Sequence, residues 1–485
     1  MNNEVQFVGN PNEQQNNAPK IVKTDVGNKD GQNKCDKCGS TDITLNMKTG
    51  LLRCNYCRYE FSPKKVEGLE EDISNLVGQV VGSGATDIIA DTKDIITFKC
   101  SSCGAEVVVD TQESTQARCH WCRNTLSINQ QIPNGSIPDM VLPFKIAKEE
   151  ARQAIEGFVK KRKFFANSTF KREFTTENIM GVYLPYMLVD INGHANLKGQ
   201  GEILKRRYTV GSGDDAETYY DADLYDVERE FDIYINDLTI ESSKDKLDHK
   251  SDTKTNNIIN AIMPFDTENC VKWDSNYLKG FTSEKRDVNI ENLRLNIHAQ
   301  AKDVARFKAN DELKQYDRGV RWDSELLDVK GQQWNSAYLP VWIYSYQEEK
   351  RGKKLLHYVA VNARTKETMG SVPIHMPKLL FCSAIVEILG IIAMLSIDDD
   401  YSVAFLLLGV LFYFFFYRKY RNKDARHTHE KDTIAKIENV RKLDNYIGLR
   451  KRLKNPRIEG ANNTSVSNAS FMEMKTIITK QIKFK

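Results

Sequence analysis

A multidomain α+β chain is predicted by three observations. Paired cysteines cluster near the N-terminus, helical and strand patterns mix around two related motifs in the middle, and two apolar runs lie near the C-terminus. The expected parts are two small β modules built on cysteines, a pseudo-duplicated α+β domain, and a C-terminal transmembrane helical hairpin. At 485 residues the chain has room for roughly two to four domains.

Residues 1–32 are rich in Asn, Gln and Lys and carry too little apolar content to fold alone, so they read as a disordered segment. No basic start followed by an apolar run occurs there, so no secretory signal is expected and the following thiols should stay reduced. Eight of the ten cysteines form Cys-x2-Cys pairs. Cys35, Cys38, Cys54 and Cys57 follow the spacing Cys-x2-Cys-x15-Cys-x2-Cys, and Cys100, Cys103, Cys119 and Cys122 repeat it. Gly39 and Gly104 follow the first pair of each set.

A Cys-x2-Cys turn aims two sulfurs at one point, and a second turn on a facing hairpin closes the tetrahedron that zinc prefers. Two zinc ribbons are therefore predicted, over 33–63 and 98–126, each holding one structural zinc ion. An iron–sulfur cluster is a weaker reading of the same sulfurs, and a redox dithiol weaker still, since redox motifs come as single pairs. Four thiolates leave no open position for water, which disfavours catalysis at the metal. His120, inside the last pair, reads as an exposed side chain rather than a competing ligand. Residues 64–97 and 127–139 read as linkers, the second marked by Pro133, Gly135 and Pro138.

From 140 to 376 one order of motifs occurs twice, in copies of about 140–260 and 261–376. Leu142-Pro143-Phe144 precedes a stretch in which Ala151, Ala154, Ile155, Phe158 and Val159 line one helical face. Tyr183-Leu184-Pro185-Tyr186 and a strand-like run to Ile191 follow. Met263-Pro264-Phe265 likewise precedes a helical stretch from Ile290 to Phe307, then Tyr338-Leu339-Pro340-Val341 and a strand-like run to Tyr346. Phe231 to Ile235 and His357 to Val361 alternate as strands do, and Asn362 to Glu367 reads as a hairpin loop.

Leu379 to Ile397 is apolar except for Glu387, and Val403 to Tyr417 carries no charge. A hydrocarbon core of about 30 Å needs roughly 20 helical residues, so the first run fits and the second fits with its flanks. Two transmembrane helices are therefore predicted within 378–417. Asp398, Asp399 and Asp400 separate the runs, while Lys378 precedes them and Arg418, Lys419, Arg421 and Lys423 follow. The positive-inside rule then places both ends, and the bulk of the chain, in the cytoplasm.

The net charge of +3 conceals a division: 418–485 carries 18 basic and 7 acidic side chains, leaving the other 417 residues at −8. A basic cytoplasmic tail of this kind suits anionic inner-leaflet lipid, or nucleic acid. Other chemistry is thin. No Gly-Lys-Ser/Thr occurs, so a nucleotide-binding P-loop is excluded. His194, His249, His298, His357 and His375 are scattered, and Cys270 and Cys382 stand singly. No catalytic residues are expected.

The ribbon spacings followed by Val141-Leu142-Pro143-Phe144-Lys145-Ile146, Gly181-Val182-Tyr183-Leu184-Pro185-Tyr186 and Tyr338-Leu339-Pro340-Val341-Trp342 resemble a bacterial family. Its members are labelled transcription factor IIB-type zinc ribbon-containing proteins, and the likeness covers about residues 33–375. The resemblance implies zinc binding and a bacterial cell, and no activity. In that family the second repeat usually ends in a glycine-containing turn, which Asn362 to Lys366 lacks. The expected function is a membrane-anchored, non-enzymatic module that binds a protein partner. Nucleic-acid binding through the ribbons and tail is the alternative.

Overall fold

A computed structural model describes residues 19–24, 35–86 (except 41, 48 and 68), 95–99, 106–110, 117–121, 125–126, 131–132 and 138–211. It further describes 217–243, 262–350 (except 279 and 285), 353–396, 405–420, 428–448 and 451–454. In chain order, β1 (Lys20–Val22) precedes an antiparallel unit of β2 (Ile43–Asn46), β3 (Leu51–Cys54) and β4 (Glu60–Phe61). β5 (Gly78–Gly82) runs parallel to β1. The second cysteine region gives β6 (Ile95–Lys99) paired with β7 (Glu106–Asp110), and β8 (Ala117–Arg118) paired with β9 (Thr125–Leu126). β10 (Gln131–Ile132) lies against β6.

After β11 (Met140–Val141) come α1 (Lys148–Lys160) and α2 (Ser168–Glu173). The strands β12 (Ile179–Val210) and β13 (Glu217–Glu241) follow, then the short β14 (Val271–Lys272) and β15 (Thr282–Glu284). Next are α3 (Ile290–Asp311), β16 (Val320–Lys350), β17 (Lys353–Asn362) and β18 (Thr368–Gly370). Two helices, α4 (Met376–Ser396) and α5 (Leu408–Lys419), precede β19 (Ala435–Tyr446) and β20 (Lys451–Lys454).

Fifteen of the described strands join one sheet. Its spine is β12 lying antiparallel to both β13 and β16. At about 3.3 Å per residue, a strand as long as β12 extends on the order of 100 Å. Every residue from Gly181 to Gly193 on β12 is buried, because this part of the sheet is covered on both faces. One face packs Tyr183, Trp342 and Tyr344 with Ala151, Ile155 and Val159 of α1. Leu184, Tyr186, Leu339 and Ile343 pack together in a separate core. Further along, α3 lays Leu293, Ile297, Ala301 and Val304 over Val189, Ile191, Phe231 and Trp334.

The two Tyr-Leu-Pro segments pair with each other. Leu184 stands opposite Leu339, with Tyr183 opposite Pro340 and Pro185 opposite Tyr338. In the Asn362–Glu367 loop, Lys366 itself takes the left-handed conformation (φ 69°). Asn362, fully buried, holds this loop to its neighbour. Its Nδ2 donates to the carbonyls of Ile262 (2.9 Å) and Pro264 (3.1 Å), and its Oδ1 accepts from the N–H groups of Arg364 and Thr365.

Several sequence expectations are corrected here. Part of the segment read as disordered, Lys20–Val22, forms a strand, because pairing with β5 supplies the hydrogen bonds its composition cannot secure alone. The stretch read as the 64–97 linker contributes β5, which also pairs parallel to β16 with Val81 opposite Trp334. The second linker ends at Asp139, which is buried. Its carboxylate accepts hydrogen bonds from Thr24 Oγ1, Gly84 N–H (2.7 Å), and Ser336 N–H (2.7 Å) and Oγ (3.1 Å). Burial pushes that carboxyl above its usual range.

The basic tail is not free along its whole length. β19 and β20 extend the sheet along β13. The ion pairs there match tail cations to an acidic strand: Arg441 faces Glu230, and Asp444 of the tail closes on the buried Arg229. Part of the charge asymmetry seen in the sequence is therefore answered inside the fold. Finally, among the described residues one helix, α4, is long and apolar enough to cross a membrane. The second apolar run yields a 12-residue α5 preceded by a 3-10 turn, about 18 Å of helix.

Candidate metal centre

Within the first cysteine set, β2 and β3 form a hairpin with Ile43 opposite Cys54, which brings the two Cys-x2-Cys turns together. The sulfurs of Cys35, Cys38, Cys54 and Cys57 all lie within 4.8 Å of one another. Cys35 to Cys57 and Cys38 to Cys54 are each 3.6 Å apart. A disulfide needs about 2.0 Å, whereas a tetrahedron of bonds of about 2.3 Å has edges of about 3.8 Å. The four thiols can therefore hold one metal ion.

The two turns share one backbone design. In the first, Gly39 N–H donates to Cys35 O (2.8 Å) and Cys35 N–H to Ser40 O (2.8 Å), with Gly39 at φ 74°. In the second, Arg58 N–H donates to Cys54 O (3.0 Å) and Cys54 N–H to Tyr59 O (2.9 Å), with Arg58 at φ 64°. Arg58 thus occupies the position that glycine fills in the first turn. The sequence did not single it out, because only the offset from the cysteine pair marks it.

Backbone donors tune the thiols. The N–H groups of Cys57 and Tyr56 hold the Cys54 thiol down to about 6. Ser40 N–H favours the thiolate of Cys38, but lost hydration and the neighbouring thiols of Cys57, Cys54 and Cys35 push it up to about 12. Four crowded thiols share protons unevenly, and a cation that replaces the protons removes the conflict. Cys35 and Cys54 are buried while Cys38 is exposed, so the site opens on one side. The buried side docks on the domain, where Cys35, Ile43, Leu52 and Cys54 share a core with Trp273 and Tyr277. On the open side Tyr56 is 81% exposed and Tyr59 41%.

Of the second cysteine set, Cys100, Cys103 and Cys122 lie outside the described residues. Cys119 is buried. The flanking strands are antiparallel, Lys99 opposite Glu106 and Arg118 opposite Thr125. This module is not a separate bead. β7 pairs with β15, Val107 opposite Glu284, which joins it to the main sheet. The expectation for His120 is overturned: it is 1% exposed, with Nε2 3.5 Å from Glu284 Oε1. Trp121 beside it donates its indole N–H to the same carboxylate and meets Tyr358 edge-on at 5.1 Å. No local pattern marks this burial, since Tyr56 holds the position of Trp121 in its own Cys-x2-Cys turn and is 81% exposed; the pairing of β7 with β15 decides it.

His249 lies outside the described residues, and two of the other histidines make local contacts. His194 bridges Asp232 (2.9 Å) and Glu230 (3.2 Å) on β13, and His298 reaches the Leu327 carbonyl at 3.3 Å. Cys270 and Cys382 stay apart from the cluster.

Over 354 residues the chain is 23% identical to a protein of Bacillus subtilis (strain 168) described as "Uncharacterized protein YdjG", spanning 71% of this chain and 91% of that one. No protein-family model matches the chain, and no solved structure matches it.

Proposed function

We propose that the chain is a membrane-anchored, cytoplasmic zinc-ribbon scaffold that binds a protein partner and catalyses no reaction. The closed four-sulfur cluster with Tyr56 standing out beside it carries this reading. Four thiolates suit zinc by softness and geometry, and a closed site supplies folding energy rather than reactivity. The rigid turn then presents Tyr56 and Tyr59, the residue type that anchors protein interfaces. A second structural zinc is assigned to Cys100, Cys103, Cys119 and Cys122 by their shared spacing.

Membrane anchoring rests on the surface of the hairpin. Leu380, Phe381, Leu389 and Leu395 of α4 and Leu411, Phe414 and Phe415 of α5 are all more than half exposed, a patch that water disfavours. α4 crosses, and α5 returns with the help of Phe405–Leu407 and its own flank. Arg418 and Lys419 then meet the anionic inner leaflet. A nucleic-acid role draws less support, since Arg441 of the tail faces Glu230 rather than solvent alone.

A photo-cross-linking residue at position 56 of the full-length chain in cells tests the proposal. One discrete protein adduct, lost in Cys35→Ser and retained in His298→Ala, is expected. Absence of any adduct, or an adduct indifferent to Cys35, would remove the scaffold role.

A further inference from the structure

The hairpin leaves and re-enters the domain beside a cationic loop. Residues 160–165 read Lys-Lys-Arg-Lys-Phe-Phe, and Lys160, Lys161, Lys163 and Phe164 are exposed. This loop is fixed to the hairpin rather than hanging free. Arg162 Nε donates to the Lys419 carbonyl at the end of α5 (2.9 Å), and Lys378 Nζ at the start of α4 donates to the Phe164 carbonyl (3.0 Å). Phe165 N–H donates to Tyr420 Oη (2.8 Å), and its ring meets Phe416 edge-on at 5.0 Å. The α2 helix adds Lys171 and Arg172 to the same end.

We infer that this loop, α2 and the base of the α4–α5 hairpin form one surface that binds anionic lipid headgroups. It rests on the membrane reading of the hairpin and, Arg418 apart, is separate from the C-terminal tail. Like charges gathered without counter-charges repel, and this surface holds several. No carboxylate pairs with Lys160, Lys161, Lys163, Lys171 or Arg418 among the described residues. Lys171 registers the crowding: partial burial first, then the charges of Lys378 and Lys163, lower its pKa. An anion that settles among these groups relieves that repulsion.

The occupant is a lipid headgroup rather than a soluble anion because of what adjoins the cations. Leu380 and Phe381, the first strongly exposed apolar residues of α4, come within one helical turn of Lys378. Phe164 is 61% exposed, with the Lys378 ammonium 3.9 Å from its ring centre. An aromatic ring with lysines around it, at the foot of an apolar helix, is the arrangement that sits at headgroup depth. A phosphate-bearing lipid satisfies both halves of the surface at once.

The test uses the full-length chain reconstituted in phosphatidylcholine vesicles that contain a minority of phosphatidylglycerol. The readout is the immobilised fraction of spin-labelled phosphatidylglycerol against spin-labelled phosphatidylcholine. Wild type is expected to prefer phosphatidylglycerol, and the preference should fall with added salt. Neutralising Lys160, Lys161, Lys163 and Lys171 to Gln, with the tail intact, should lower it about tenfold. The matching Lys→Arg set should keep it. These four side chains are exposed, so folding is not at stake, and the Arg set controls for it. No preference in wild type, or a preference unchanged in the Gln set, would overturn this inference alone. A chain that alkaline carbonate strips from the vesicles would overturn the membrane reading and this surface with it.

Discussion

The Glu387 carboxylate on α4 accepts a hydrogen bond from the Gly409 backbone N–H of α5 at 2.7 Å. Gly409 lies in the first turn of α5, where N–H groups lack intrahelical partners, and Leu407 before the helix has no side chain able to cap it. The single charge in the first apolar run therefore caps the second helix from outside. A side chain at 409 would force the helices apart, since a Cβ there would lie 2.5 Å from the Ser383 carbonyl oxygen and 2.6 Å from Glu387 Oε2.

Glu387→Gln keeps an acceptor and should leave the hairpin intact, whereas Glu387→Leu should cost about 1 kcal/mol or more. Thermal unfolding of the detergent-solubilised chain reads the difference. If Leu is as stable as Gln, the carboxylate is not a cap.

The two metal turns give opposite expectations for their left-handed positions. Gly39→Ala should destabilise by about 1–2 kcal/mol, because φ 74° crowds any Cβ. Arg58→Gly should stabilise by up to about 1 kcal/mol by relieving the same strain at φ 64°. Chelator titration is the measure, with more chelator needed to unfold Arg58→Gly and less for Gly39→Ala. Equal midpoints would mean the turns are not equivalent.

Arg229, 2% exposed, meets Asp444 through its two terminal guanidinium nitrogens, which ties β19 to β13. Asp444→Asn leaves that guanidinium without its counter-charge and should cost about 2 kcal/mol, below the full cost of breaking a buried pair because Asp444 is 28% exposed. Limited proteolysis should then release fragments beginning near β19 sooner than in wild type. An unchanged digestion pattern would show that the strand is held by its backbone ladder alone.

The parts of this fold that the sequence disclosed were those carried by local pattern. The spacing of Ala151, Ile155 and Val159 marked the buried face of α1, and the cysteine spacing marked the cluster. What stayed hidden depends on pairing between distant segments. The β19 sequence, Ala435 to Tyr446, is mostly polar and becomes a strand only because β13 offers an edge and complementary charges. Burial on both faces erased the alternation from Gly181 to Gly193, so a 32-residue strand read as a short run. His120 could not be placed because Glu284, its neighbour, is 164 positions away.

Asp190 supplies a pH dependence whose sign is fixed. Burial first, and then the charge of Asp237, raise its carboxyl from 3.8 to about 7. Its oxygens accept from Asp237 N–H (2.8 Å) and Gln333 Nε2 (3.2 Å). The protonated form is favoured in the fold, so its contribution is complete below about pH 4 and is lost as pH rises through about 7. Across that window wild type should lose more than about 1 kcal/mol relative to Asp190→Asn in urea unfolding. Parallel stability profiles would contradict the assignment.

Zinc-edge X-ray absorption on the purified full-length chain addresses the four-thiolate centre most directly. A first shell of four sulfurs at about 2.3 Å is expected, with no nitrogen or oxygen scatterer. A shell that includes light-atom ligands, or a folded chain carrying no metal after purification without chelator, would contradict a closed structural site at Cys35, Cys38, Cys54 and Cys57.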